Sequence, residues 1–108
     1  MFQLVDPKEP VKWPVKVKFP NAKGKVLEKS FSAFFYFKTE NEIEELQQTL
    51  DDVLFLKSVI HSFQELKDQN GKSIKGTPKD IELVGSSTRI KQALIDAYFE
   101  FNNGESKN

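Results

Sequence analysis

The sequence contains no cysteine, which excludes disulfide bonds, thiolate metal ligands and a thiol nucleophile. Its only histidine is His61, which argues against a metal site built on imidazole ligands. No apolar run approaches the about 18 residues that a membrane-spanning helix requires. The N-terminus also lacks the basic start and apolar stretch of a secretory signal. These absences predict an intracellular, non-enzymatic protein that needs no cofactor and enters no membrane.

Neither sign of charge is in excess, because 16 basic and 16 acidic residues give a formal net charge of zero. This balance argues against a dedicated nucleic-acid-binding protein, which usually has a basic domain. The charges are nevertheless separated along the chain. Residues 1–38 contain eight lysines and three acidic residues, whereas residues 39–56 contain six acidic residues and no basic one. Such a separation favours charge-guided contacts with partner proteins.

Apolar and polar residues alternate strictly from Val11 to Phe19, a pattern typical of a β-strand with one buried face. Pro14 cannot donate a ladder hydrogen bond, so we expect this strand at the edge of a sheet. A turn at Gly24 and a second alternating stretch follow. Together they predict an antiparallel hairpin over residues 11–38.

Aromatic residues also occupy the other face of the second strand, at Phe34 and Tyr36. A solvated strand face is seldom aromatic, so we expect another surface to cover part of it. The first strand interleaves Lys16 and Lys18 with apolar residues, and such a mixture also occurs in proteins that bind single-stranded nucleic acids. Here the two residue types fall on opposite faces, which favours lysines that protect an edge strand from aggregation.

Helical periodicity begins after Thr39, which opens a capping box. Asp51 and Asp52 divide the periodic stretch, so the pattern predicts a second helix over about residues 52–66. Adjacent acids also suggest metal or acid–base chemistry, but a helix cap is the simpler interpretation here. A short helix is expected from Thr77–Pro78 to Val84, and a last helix after Ser86 or Ser87.

The predicted fold class is therefore α+β, with an N-terminal antiparallel β-hairpin followed by three to four α-helices. A single domain spans residues 11–103, in which residues 40–103 form the helices. We expect residues 1–10 to be a flexible arm and residues 104–108 to be a flexible tail.

The last helix carries more apolar residues than one buried stripe requires. The stripe comprises Ile90, Ala93, Leu94, Ala97, Tyr98 and Phe101. Ile95 and Phe99 lie off this stripe, so they are candidate contacts for a partner, together with Phe34 and Tyr36.

Three stretches together resemble the tail assembly chaperones of long-tailed bacteriophages. They are Val11–Val17 with its Trp-Pro-Val segment, the strand Phe31–Phe35, and the C-terminal stretch Ile90–Glu100. The resemblance covers about residues 11–104 and depends on the order and spacing of the stretches. One departure is Phe63, which stands where family members often have tryptophan.

The resemblance implies a non-catalytic assembly factor from a phage or prophage, acting in the cytoplasm of the bacterial host. Its implied partners are the tape measure protein and the tail tube protein. Two alternatives stay open from the residues alone: a structural tail or connector component, and a small nucleic-acid-binding regulator.

The charge separation further predicts self-association. If the two charged surfaces face away from each other, Lys16 and Lys18 of one copy meet Glu44 and Glu45 of the next. A head-to-tail contact of this kind generates open spirals or closed rings. The alternative is that each charged set is a solvated face.

Overall fold

The structure, a computed structural model, describes residues 9–103. The predicted tail and all of the predicted arm except residues 9 and 10 lie outside this range. In chain order the elements are β1 (Val11–Pro20), β2 (Val26–Phe35), α1 (Glu40–Gln48), α2 (Asp52–Val59), β3 (Ile60–Gln64), α3 (Pro78–Gly85) and α4 (Thr88–Asn102). The predicted α+β class is confirmed, and the described part of the chain has four helices and one strand more than the hairpin.

The three strands form one antiparallel sheet in the order β1-β2-β3. As Pro14 predicts, β1 is an edge strand. Its pairing with β2 runs unbroken from Val11, opposite Phe35, to Pro20, opposite Val26. Because the register is continuous through Pro14, its nitrogen must point towards the open edge, where no ladder bond is lost.

The prediction of a helix over residues 52–66 is wrong in its second half. α2 ends at Val59, and Ile60–Gln64 is a strand that pairs with β2. Ile60 lies opposite Phe35 and Phe63 lies opposite Ala33, so four residues of β3 match three of β2. This bulge turns both Ile60 and Phe63 to the buried face, whereas regular alternation would separate them. The two buried residues Ile60 and Phe63 are therefore three positions apart, as apolar residues on one face of a helix are.

The outer edge of β3 is covered by the chain that follows it. The Phe63 N–H donates to the Lys75 carbonyl at 3.0 Å, and the Ile74 N–H donates to the Leu66 carbonyl at 2.9 Å. Gly76 lies so close that a Cβ there would stand 2.7 Å from the Ser62 Cα. The sheet therefore has a fourth, irregular neighbour on this side.

Side-chain caps fix where the helices begin. Thr39 and Glu42 form the predicted capping box of α1, and the Asp51 carboxylate accepts from the first backbone donors of α2. Thr77 and Asp80 form a second capping box at α3. One oxygen of Asp80 accepts from the N–H groups of residues 75, 76 and 77, so it also ties the covering segment to the helix.

The core lies between the inner face of the sheet and the helices, with α4 packed across β1. Val15, Phe35, Leu94 and Tyr98 are fully buried. The Tyr98 hydroxyl donates to the carbonyl of Tyr36 at 2.9 Å, which satisfies a polar group inside this core. The lysines of β1 all point outwards, as the alternation predicts.

Candidate functional site

The titratable residues of the described chain form no cluster suited to metal binding. Among residues 9–103 there is no group of three or more histidine, cysteine, aspartate or glutamate side chains that could hold an ion. His61 is exposed at the bulge of β3, where its Nδ1 lies 2.8 Å from the Ser62 hydroxyl. The Asp51 carboxylate is engaged as a helix cap, as the sequence suggested. No helix within residues 9–103 has the length and apolar character needed to cross a membrane.

An open apolar groove lies where α1, α2 and α4 meet, and we call it the helical groove. Its volume is about 280 Å³, and Gln47, Asp51 and Asp52 line it beside five apolar residues, which are Leu46, Leu50, Phe55, Ile95 and Phe99. Phe99 stacks almost parallel on Phe55, with ring centroids 5.8 Å apart. Ile95 and Phe99, the two residues off the main stripe of α4, are therefore half-buried neighbours in one surface.

The groove stays open because α1 is short. Only Ile43 of α1 is buried, and Leu46 is half-buried. α1 ends at its C-cap Thr49, and α2 begins two residues later at its N-cap Asp51. Residues 49–52, which follow α1, are all exposed and only Leu50 among them is apolar, so the connection lays little apolar surface over the second face of α4. The break between the helices therefore leaves that face accessible.

The acidic candidates of α1 lie beside this groove. Glu44 lines a shallow depression that shares Phe99 with the helical groove. Glu45 is exposed one position further along α1. The structure thus brings three of the sequence-predicted residues together: Glu44, Ile95 and Phe99.

The other candidates lie on a different surface. Phe34 sits between Lys12 of β1 and Ser62 of β3, on the sheet face away from the helices, and it is half-buried. Tyr36 is also half-buried, and its ring meets the His61 ring edge-on at 5.7 Å. Lys16 and Lys18 are exposed on β1. None of these four residues lines the helical groove.

A second apolar surface was missed by the sequence analysis, and we call it the sheet groove. It is lined by Val17, Phe19, Phe31, Leu66 and Ile90, with Lys29, Ser30, Glu65 and Lys67 among them, and its volume is about 600 Å³. It continues into a depression that includes Leu83, which is 55 % exposed.

The sheet groove exists because β3 is shorter than the hairpin it joins. β3 pairs only with residues 32–35 of β2, so the inner face of residues 26–31 has no third strand beside it. The sequence could not show this gap while the segment of β3 was interpreted as a helix. The one local hint is the hairpin length, since ten-residue strands exceed the usual five to six by about four.

The chain matches no protein-family model, no curated protein and no solved structure.

Proposed function

We propose that this protein is a tail assembly chaperone of a long-tailed bacteriophage, which binds the tape measure protein without catalysis during tail morphogenesis in the host cytoplasm. The observation that carries the proposal is the helical groove, an apolar surface that the fold leaves open. The sequence resemblance supplies the identity of the client. Recruitment of tail tube subunits belongs to the same proposal.

The shape of the groove suits a helical client. Ile95 and Phe99 are four residues apart, so they lie on one face of α4 about one turn from each other. A client helix laid along α4 meets both side chains with its own residues at spacings of three and four. Tape measure proteins are long and helical, and their apolar stripes need cover before the tail tube encloses them.

The energetic demand on the groove is modest. Full burial of a phenylalanine or isoleucine side chain stabilises by about 1.5–3 kcal/mol, and both residues are already half-buried. Covering the exposed remainder of each side chain with a client therefore contributes only part of this burial free energy. A chaperone that must later release its client gains from many weak contacts along the client.

The test is co-expression of the chain with the tape measure protein of the same phage, followed by affinity capture. Replacing Ile95→Gln and Phe99→Gln together places a long, helix-favouring side chain at each position but removes the apolar surface. We expect captured client to fall by about tenfold or more, which corresponds to about 1.4 kcal/mol of binding free energy. Val26→Gln is the matched control, because Val26 is 67 % exposed and lies in neither groove.

Equal capture by the double variant and the wild type, with both folded, would exclude the helical groove as the client site. Absence of any capture by the wild type would exclude the function itself. Mass spectrometry of purified virions separates a chaperone, which is missing from them, from a structural tail component. A salt-dependent affinity for DNA would instead support the regulator.

A further inference from the structure

The first half of β2 lies at an open edge of the sheet. β3 pairs only with residues 32–35 of β2, so residues 26–30 have β1 on one side and no strand of the described chain on the other. All of residues 26–30 are exposed. β3 does not continue beside them, because Glu65 follows it with a φ of 65°, in the left-handed region, which interrupts an extended strand. We call residues 26–30 the open edge.

The hydrogen-bonding groups of the open edge point away from β1. In an antiparallel ladder, every second pair of residues directs its N–H and C=O groups away from the partner strand. Pro14 and Pro20 of β1 belong to these pairs, since neither has an N–H to donate. Lys18 belongs to them too, and its carbonyl accepts from the Arg89 side chain at 3.2 Å, outside the ladder. The residues of the open edge in these pairs are Val26, Glu28 and Ser30.

The other edges of the sheet are protected against a further strand. Pro14 and Pro20 remove donors along the edge of β1, and residues 73–76 cover the edge of β3. The open edge contains no proline, and no backbone group of residues 9–103 pairs with its outward N–H and C=O groups. Such an edge is a template for another strand, and main-chain pairing with an extended peptide is a recurrent mode of recognition.

The sheet groove gives the incoming strand an apolar surface to cover. Phe31, Leu66 and Ile90 line the groove beside the open edge. Leu27 lies on the same face of β2 as Phe31 and is 45 % exposed. A strand placed beside β2 turns every second side chain towards this face and the others to solvent. The open edge and the sheet groove therefore fit an extended segment with apolar residues at alternate positions.

The charges at the groove favour an acidic segment. Lys29 and Lys67 line the sheet groove and are both exposed, whereas Glu65 is its only acid. Neither lysine forms an ion pair within the described part of the chain. A carboxylate next to the apolar residues of the segment would meet these two ammonium groups.

We therefore propose that the open edge and the sheet groove bind an extended, acidic segment of another protein, which adds to β2 in line with β3. A second copy of the chain offers no strand for this, because its β1 edge carries prolines and its β3 edge is covered. The inference goes beyond client binding in the helical groove, and its test needs the purified chain and no client.

The probe is a short synthetic peptide with capped ends, in which valine alternates with threonine and glutamate stands at each end. We expect saturable binding in an NMR titration. At saturation, the amide protons of Val26, Glu28 and Ser30 should exchange with solvent more slowly by about tenfold or more, because they then donate to the peptide. A peptide with lysine in place of glutamate should bind more weakly.

Backbone methylation of the probe separates main-chain pairing from side-chain docking. The valine and the threonine nitrogens lie on opposite edges of the extended peptide, so methylating either set blocks one edge. Only one of the two methylated peptides should lose binding. Contacts made by side chains alone would treat both peptides alike, and that result would contradict the proposal.

A pair of proline variants tests the edge of the protein. Glu28→Pro removes the central donor of the open edge, and Lys18→Pro makes the same change on the opposite edge of the hairpin, in both cases without loss of a bond between β1 and β2. We expect Glu28→Pro to weaken probe binding by about tenfold or more, and Lys18→Pro to change it by less than about twofold.

Two further variants complete the test. Lys29→Glu alters only an exposed side chain, so it reports on the same site if Glu28→Pro does not fold, and it should weaken binding of the acidic probe. The Ile95→Gln and Phe99→Gln variant should bind the probe like the wild type. Failure of this inference and failure of the proposed function are thereby distinguished.

The absence of saturable binding to the wild type would overturn the proposal, as would binding that leaves exchange at the open edge unchanged. Equal effects of Glu28→Pro and Lys18→Pro would also overturn it. Slow exchange at these amides in the free chain would show that the edge is already occupied. Release by deletion of residues 1–8 would then assign it to the chain's own N-terminus, and release on dilution to a second copy.

Discussion

Among the glycines of residues 9–103, Gly76 lies closest to a neighbouring backbone, that of Ser62 in β3. Its φ of 116° is strained for any residue with a side chain, and a Cβ would lie 2.7 Å from the Ser62 Cα. We expect Gly76→Ala to lower the free energy of unfolding by about 2–4 kcal/mol, because strain and overpacking add. Gly71→Ala is the matched control: its φ of 80° is also positive but the space is open, so about 1–2 kcal/mol is expected. Urea denaturation measures both, and equal losses would show that the clash relaxes.

The buried hydroxyl of Tyr98 gives a second residue-level prediction. Tyr98→Phe leaves the Tyr36 carbonyl without its donor and should cost about 1–3 kcal/mol. Tyr36→Phe, on the outer sheet face, serves as the control and should cost less.

The stability of the protein at alkaline pH gives a second test of the Tyr98 hydroxyl. Burial, and secondarily the Glu42 carboxylate, raise the pKa of Tyr98 above its ordinary value. A raised pKa in the folded state means that the stabilisation is complete below about pH 10 and is lost as the pH rises further. We therefore expect the wild type to lose stability above pH 10 more steeply than Tyr98→Phe does. Parallel stability curves for the two proteins would contradict this.

At the scale of elements, the start of α3 depends on one carboxylate. Hydrogen bonds from the N–H groups of Gly76, Lys75 and Thr77 hold the pKa of Asp80 below its ordinary value. A lowered pKa in the folded state means that the stabilisation is present above about pH 4 and is lost as the pH falls below it. Asp80→Asn should therefore be less stable at pH 7, and the difference from the wild type should shrink at acid pH. A difference independent of pH would show that charge is not involved.

The second element-scale prediction concerns α4, which closes the core. Leu94 is fully buried, so Leu94→Ala should lower the free energy of unfolding by about 2–5 kcal/mol. Gln92→Ala, two residues earlier and exposed, should change it by less than about 0.5 kcal/mol. A thermal transition of Leu94→Ala equal to that of the wild type would show that α4 does not close the core.

The sequence correctly predicts the elements whose formation depends on residues close together in the chain. The alternation of β1, the Thr39 and Thr77 caps, and the break at Asp51 depend on neighbouring residues, and all are found. β3 depends on a bulge, which places Ile60 and Phe63 on one face at helical spacing. Periodicity alone cannot distinguish a bulged strand from a helix.

The candidate site was partly predictable for the same reason. Ile95 and Phe99 stand out because the period of α4 assigns them to a second face, and the structure places both in the helical groove. The sheet groove arises from the unequal lengths of β2 and β3, which are distant in sequence. The length of the hairpin strands is the one local hint of that mismatch, and it does not show which part of β2 stays unpaired.

Over the whole molecule, charge is arranged along its length. The turn between β1 and β2, which contains Lys23 and Lys25, precedes β2, and the acidic α1 comes after β2, which spans about 33 Å at the usual rise per residue. The molecule measures 48 Å along its longest axis. A neutral chain can therefore present a basic end and an acidic end, which orients copies before they touch.

The two edges of the sheet have a consequence for how fast subunits exchange. Pro14 blocks pairing at the edge of β1, and residues 73–76 occupy the edge of β3. Both edges therefore disfavour extension of the ladder by a second copy, which favours association through side chains. Such contacts differ in lifetime mainly through their dissociation rates, which range from milliseconds to days. An assembly of this chain should accordingly turn over its subunits and disperse on dilution, whereas a continuous intermolecular sheet would persist as fibres.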